Sequence, residues 1–538
     1  MTELTDPPAD PGSRGAERAG AGTAEPAPRA LLAIGAGFDR VITGKVPRTA
    51  GFLAFLAFAV VGTATVSLWG GGFDYWQHLS AVRTLSSSLL HPPPLYFSEP
   101  YEIHLYTPYH VFWAIVLRVF GPSIWGIAIL MTTVNAVLFA LGARLIGEHL
   151  FKDPELDFAV LVSLLVFWGR PIEWSGVYSL GQLSFNAMYP SFFALAASMI
   201  VSALWLEEGY RSIPAWAALT LALAVIVATH AITASFLLLF LFVKTLVLAP
   251  RTRRDLLASA LYALGGCTLG LFWPYYSLMS LVSEARSGAD VFGYFTAFYE
   301  QLPGTLGPEV LGVLALPLVR PERIRIFLGI LLAVCVVIFV GNYVLHLSHV
   351  LSRYLIFLTF VLQLSVAAAV GAVRGRWLGA IVLPAFVLLA VSGGKRQLEI
   401  ATSHYGLVQD LAAGVAPGTH SAQNRSADLE LLDELDDDRR QVMMAPLDWA
   451  YRVSALSGFQ VVGVMNKAPT MPDYEGRLRD VASFYDPQTP PVARQEIIDR
   501  RRVDFVLIPL DGGPKQGIVL PPWKPLLRTS SFIVYSTR

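Results

Sequence analysis

The chain has 538 residues, of which 54% are hydrophobic and only 15% charged, and its mean hydropathy is +0.53. A water-soluble protein of this size carries far more charge, so much of the surface must face lipid. Forty basic residues balance 40 acidic ones, which removes any bulk electrostatic case for nucleic acid as a partner.

Residues 1–29 are rich in Pro, Ala, Gly and charge and lack the apolar core and cleavage site of a secretory signal. This predicts a disordered cytoplasmic tail over 1–45. Apolar runs at 50–69, 123–146, 156–170, 190–206, 213–230, 231–249, 255–276, 305–320, 326–345, 353–373 and 377–393 then predict about 11 transmembrane helices within a membrane domain spanning 46–394. The segment PYHVFWAIVLRVF at 108–120 is apolar but short, opens on Pro108 and carries Arg118, and is read as an interfacial or re-entrant helix. Were it to span, every downstream segment would invert. The positive-inside rule supports the shorter reading, because Arg40, Lys45 and Arg48, then Arg144 and Lys152, Arg211, Arg251 to Arg254, Arg320 to Arg325, and Arg374 and Arg376 all fall on one side. The N-terminus is therefore cytoplasmic and the C-terminus outside. Cys267 and Cys335 lie in apolar runs without metal or redox spacing and read as small buried hydrophobes.

The first outer loop, 70–122, is long and dense in polar residues. Asp74 follows the first span within a few residues, close to the membrane surface, and His78 lies one helical turn beyond on the same face. A carboxylate at an interface is suited to act as a general base, and equally to cap the following helix; both roles are compatible. Glu99, Glu102 and His104 have a spacing suited to a divalent cation, with ordinary solvated loop polarity the simpler reading. His91 with Pro92 to Pro94 stiffens an extended segment. A second cluster, FWGRPIEWSGVYSLGQLSFNAMYPS at 167–191, offers Arg170 and Glu173, which also read as an interfacial ion pair within an aromatic belt. In HLSHVLSRY, His349 and Arg353 stand at the outer start of a span. An Arg placed against the positive-inside bias is suited to a phosphate, or else snorkels to lipid head groups. His230, in ATHAIT, reads as a polar turn residue.

Beyond residue 394 the composition turns charged and soluble. Runs at 441–445, 459–464, 503–510 and 531–536 read as short buried strands, separated by helical stretches such as DWAYRVSAL and VARQEIIDRRR. They predict a small extracytoplasmic α/β domain over 395–538. No P-loop, Rossmann glycine pattern, zinc-ligand spacing or internal repeat occurs.

The acidic loop opening FDYWQHLSAVR, the segment TPYHVFWAIVLRVFG, WSG with a downstream YPS, the HxxxR at 349–353, and MMAPLDWAYRVSALSGFQVVGV followed by VDFVLIPLD together resemble the GT-C superfamily of integral membrane glycosyltransferases, of bacterial type. The likeness runs from about residue 46 to 512 and is carried most specifically by the FD loop. It implies a multi-pass plasma-membrane enzyme of cell-envelope or glycoconjugate assembly. Such an enzyme moves a hexosyl or pentosyl group from a polyprenyl-phosphate-linked sugar to a hydroxyl of a glycan, lipid or protein acceptor, with inversion. Asp74 maps to the family's acidic loop residue and is the expected catalytic base. His78, Glu99, His104, Tyr109, Arg170, Glu173, His349 and Arg353 are the expected substrate-binding residues, with Arg353 facing the departing lipid phosphate. The paired acidic motif of some members is absent, which leaves a divalent-cation cofactor an open expectation. Two other classes fit the hydropathy: a transporter or flippase of a lipid-linked or small polar substrate, and a non-catalytic envelope assembly protein. A transporter calls for ionisable residues near mid-membrane and repeated broken helices, whereas here the polar clusters gather at the outer ends of spans.

Overall fold

A computed structural model describes residues 29–69, 73–169, 176–207, 212–248, 253–281, 296, 298–300, 302–403, 428–429, 431–435, 441–465, 471–510 and 518–537. Its principal helices begin with α1 (Arg29–Thr43), α2 (Lys45–Trp69), α3 (Phe73–Ser87), α4 (Pro108–Phe120), α5 (Ile124–Leu145) and α6 (Asp157–Val166). They continue with α7 (Pro190–Leu204), α8 (Ile213–Thr229), α9 (Ala231–Leu248), α10 (Arg253–Leu271), α11 (Glu322–Leu345), α12 (Tyr354–Val373) and α13 (Gly379–Ser403). Among the described residues six helices, α2, α5, α9, α11, α12 and α13, are long and apolar enough to cross a membrane. The bent pair Leu180–Asn186 and Pro190–Leu204, which turns through 116°, makes a seventh span if counted as one.

The 11 expected spans therefore do not all appear as long helices. The run at 156–170 forms only the ten-residue α6, buried on nearly every side by its neighbours, and so reads as apolar because it is interior. The run at 305–320 forms only a short helical stretch, Pro308–Leu318, that Pro308 opens and that tightens to a 3-10 turn at Pro317. The expected tail also changes: residues 29–43 form α1, whose Gly35 lies against the start of α13 and whose Asp39 accepts a 2.7 Å hydrogen bond from Arg374. Arg374 also binds Asp153 at 2.7 Å and Glu155, tying α1, the turn before α6 and the end of α12 together. At the far end of the chain's membrane part, α13 runs through Gly394 to Ser403 without a break.

Segment 108–120 is helical but has only 13 residues. At about 1.5 Å per residue it reaches about 20 Å, short of the roughly 30 Å hydrocarbon core. Its ends are defined locally. Thr107 is the N-cap, Pro108 occupies the first turn, and Gly121 closes the helix at φ 59°, where a side chain would be strained.

The C-terminal part holds a five-stranded sheet, β1 (Val442–Met444), β2 (Gln460–Val461), β3 (Phe505–Pro509), β4 (Lys524–Arg528) and β5 (Phe532–Ser536), in the order β2-β1-β3-β5-β4. β1 pairs in parallel with β2 and β3, and β5 pairs antiparallel with β3 and β4. Strand alternation sends Val442, Met444 and Val506 to one face, packed by α15 (Tyr474–Tyr485) and α16 (Pro491–Arg501). Met443, Phe505 and Leu507 go to the other face, covered by α14 (Leu447–Ser457).

That second face shares its core with the first loop. Trp76, Leu79 and Val82 of α3, and Tyr96 and Phe97 beyond it, are buried in the same cluster as Trp449, Tyr451 and Phe532. Val461 N–H donates to the Tyr96 carbonyl at 2.8 Å, and Gln460 Nε2 donates to those of Phe97 at 3.0 Å and Pro94 at 3.3 Å. The C-terminal sheet domain is thus clamped onto the loop that carries Asp74, and the two lie at one end of the bundle.

Candidate active site

Asp74 is the second residue of α3, inside its first turn. The helix N-terminus favours a carboxylate there. Asp74 is largely removed from water, which pushes its carboxyl above the usual range, and the Arg353 guanidinium pulls it back down. Arg353 ends the short turn His349–Arg353 that opens α12, so a residue 279 positions away in the chain is brought opposite the start of α3. This is the central convergence of the site.

Around that pair the structure adds residues from three further helices, α4, α7 and α8. His78, one turn along α3, is 8% exposed and its ring lies 4.8 Å from that of Tyr189 at the start of α7, while Tyr189 is itself within the electrostatic reach of Asp74. His78 Nδ1 is 3.0 Å from His110 Nε2, and His110 Nδ1 is 2.8 Å from Thr107 Oγ1, the cap of α4. Burial drives both imidazoles towards the neutral form, His78 to about 3 and His110 well below its ordinary value. They are therefore uncharged at physiological pH, each with one N–H, and form a hydrogen-bonded row with Thr107. His230, at the end of α8, lies within electrostatic reach of both Arg353 and His78, with its Nδ1 2.7 Å from Thr233 Oγ1. Trp168, Val177, Thr305 and Arg353 together line a void of about 10 Å³, so the end of the second cluster abuts the third.

The remaining expected residues fall in three groups. Tyr109 is buried with its hydroxyl donating to the Met188 carbonyl at 2.7 Å and accepting from Asn135 Nδ2 at 2.8 Å, which makes it a brace between α4, α5 and the turn before α7. Glu99, Glu102 and His104 are placed apart from Asp74 in structural contacts. Glu99 pairs with Arg477 of α15, whose guanidinium stacks 4.3 Å above the Phe97 ring. Glu102 accepts from the Ser277 amide and, at 2.9 Å, from Ser280 Oγ, while His104 Nε2 lies 3.3 Å from that same oxygen. Arg170, Glu173 and the His349 side chain lie outside the described residues. The buried Glu309 is within electrostatic reach of Arg396.

A divalent cation does not fit the loop carboxylates. Among the described residues no three of His, Cys, Asp and Glu converge, and Glu99 and Glu102 already have protein partners.

The residues that pattern reading passed over are His110, Tyr189 and His230. His230 reads as a polar turn residue, while Tyr189 and His110 lie in the segments 167–191 and 108–120 with no role assigned from pattern alone. Each becomes legible only once α3, α4, α7, α8 and α12 are brought together, although a His in the first turn of an apolar helix is already a polar group that must find a partner.

No protein-family model matches the chain, nor does any curated protein. Among solved structures, the chain is similar to the Archaeoglobus fulgidus oligosaccharyltransferase in the apo form, at 11% identity and a TM-score of 0.48, covering 85% of this chain and 69% of that one. The same oligosaccharyltransferase in a complex with Zn and sulfate matches at 12% identity and a TM-score of 0.48, over 84% of this chain and 67% of that one. The archaeal oligosaccharyltransferase AglB from Archaeoglobus fulgidus, with an inhibitory peptide and a dolichol-phosphate, matches at 13% identity and a TM-score of 0.36, over 85% and 69%. These are remote likenesses, and what the site can do is read from its own side chains.

Proposed function

We propose that this chain is an integral membrane glycosyltransferase that moves a sugar from a polyprenyl-phosphate donor to an acceptor hydroxyl on the extracytoplasmic face, with inversion at the anomeric carbon. The observation that carries this reading is the largely desolvated Asp74 carboxylate within electrostatic reach of the Arg353 guanidinium, just beyond the C-terminal end of α2. Asp74 takes the acceptor's proton as the oxygen attacks the anomeric carbon. The bond from that carbon to the phosphate oxygen breaks, and the electron pair leaves with the polyprenyl phosphate. Negative charge grows on the phosphate as it departs, and Arg353 stabilises it most at that moment. In the resting site the same guanidinium lowers the Asp74 pKa against the larger, raising effect of burial. The neutral His78–His110 row holds Tyr189 beside the carboxylate without adding a competing positive charge.

A single carboxylate placed this way favours a direct displacement, because retention requires a second one positioned as a nucleophile. The acceptor is a glycan, a lipid or a protein. The test uses purified protein in liposomes with labelled polyprenyl-phosphate sugars and follows both free polyprenyl phosphate and labelled acceptor. Coupled appearance of the two is expected. Movement of the intact donor across the bilayer without cleavage would replace the enzyme by a flippase.

A further inference from the structure

At the opposite end of the bundle from Asp74, α2 and α5 separate. They are joined near the catalytic end by a 3.0 Å hydrogen bond from Thr132 Oγ1 to Thr63 Oγ1, and midway by Phe55 and Phe139, whose rings are 6.1 Å apart. Beyond those contacts a groove of about 670 Å³ opens between the two helices, within the roughly 300–1,000 Å³ of typical ligand pockets. Its composition changes along its length. The inner walls are wholly apolar, with Phe52, Leu53 and Leu56 on α2 facing Val137, Ala140 and Leu141 on α5. At the mouth stand Lys45, Arg48, Thr49 and Arg144, with Asp157 the one acidic residue of the lining.

The charges at the mouth are only partly matched from within the protein. Arg48 binds Asp157 at 2.6 Å and the Pro154 carbonyl at 3.0 Å, and this uses only its Nη2; its buried Nε has no hydrogen-bond partner among the described residues. Arg144 reaches only Glu148, at 4.0 Å with both side chains exposed, a contact of little consequence. Lys45 is exposed and makes no ion pair among the described residues. Two cations in excess thus cap an apolar slot, two of whose wall residues, Leu53 and Val137, are 63% and 49% exposed.

We propose that this groove is a binding site for one anionic glycerophospholipid, its phosphate held by Lys45, Arg48 and Arg144 and an acyl chain lying between α2 and α5. Charge complementarity selects the head group and the apolar walls select the chain; neither half of the groove accounts for the other. The site lies at the other end of α2 from Asp74, so the bound lipid is not the sugar donor. The inference rests on α2 and α5 being membrane spans, and is independent of the glycosyltransferase reading.

The experiment is native mass spectrometry of the full chain released from nanodiscs containing equal phosphatidylglycerol and phosphatidylcholine. One retained phosphatidylglycerol is expected, with at least tenfold preference over phosphatidylcholine. The double variant Lys45→Ala/Arg144→Ala should lose that preference, whereas Arg323→Ala, which removes a cytoplasmic-end charge outside the groove, should keep it. Val137→Trp leaves every charge in place and should also lose the lipid by filling the slot. Equal retention of both lipids by the wild type overturns the proposal without any variant, as does retention unaffected by Val137→Trp. Displacement by inorganic phosphate alone overturns it as well, since the site would then hold a phosphate and not a lipid. Failure of the chain to enter nanodiscs would instead remove the membrane reading on which the inference stands.

Discussion

A buried carboxylate is useful as a base only if it ionises near working pH, and the surroundings of Asp74 pull in both directions. Burial raises its pKa and Arg353 lowers it, with burial the larger effect. Because the ionised form is the base, activity is lost as pH falls through that raised value, so the acid limb of the pH–rate profile should lie above the ordinary carboxylate range. Arg353→Gln removes the lowering influence. It should therefore move the limb to still higher pH, besides cutting the rate by about 10²–10³-fold through loss of charge stabilisation on the leaving phosphate. A rate loss with an unmoved limb would separate Arg353 from Asp74. His78 and His110 are already neutral over this range and contribute no limb of their own. Tyr109→Phe tests a different role. Its hydroxyl joins Met188 to Asn135 in the interior, so its loss should cost about 1–3 kcal/mol of stability in thermal or denaturant unfolding, with KM little changed. A large KM effect at unchanged stability would return Tyr109 to the substrate.

Among the elements, α3 is positioned less by its own sequence than by what grips it. Arg477 of α15 illustrates the grip: it pairs with Glu99, stacks on Phe97 and donates to the Val462 carbonyl at 3.1 Å. Arg477→Ala leaves a buried carbonyl without its donor and loosens the loop from the sheet. It should lower stability by about 1–3 kcal/mol, measured by unfolding of the detergent-solubilised chain, and reduce turnover without changing the position of the acid limb. The same elements show what pattern reading can reach. β1, β2, β3 and β5 were visible as short apolar runs, and α14 and α16 as helical stretches. β4 was not, because KPLLR sits at the sheet edge with its side chains mostly exposed and presents no apolar alternation. α6 was misjudged in kind for the opposite reason, since a helix buried on all sides carries the same hydropathy as one that faces lipid. Asp74 and Arg353 were legible individually, one from its place after the first span and the other from its defiance of the positive-inside bias. Their pairing was not, as it depends on packing between segments far apart in the chain.

At the level of the whole molecule, the short α4 decides which residues share a face. Its 13 residues and the docking of the sheet domain on residues 76–99 are consistent with one polar end containing Asp74, Arg353 and the C-terminus, and another containing Lys45, Arg144 and Arg374. Single cysteines at Leu90 and Val492, both highly exposed, should be labelled by a membrane-impermeant maleimide from the same side in a background lacking Cys267 and Cys335, and one at Trp377 from the other. Labelling of Leu90→Cys and Val492→Cys from opposite sides would scatter the site.

The central claim is that Asp74 performs the proton transfer in a sugar-transfer reaction, and the most direct measurement is the turnover of a polyprenyl-phosphate sugar by purified Asp74→Asn protein beside the wild type, with folding checked by the unfolding midpoint. Asparagine keeps the shape and removes the basicity, so the predicted result is a folded protein whose rate falls by about 10²–10⁴-fold. A folded Asp74→Asn protein that transfers sugar at the wild-type rate would contradict the account.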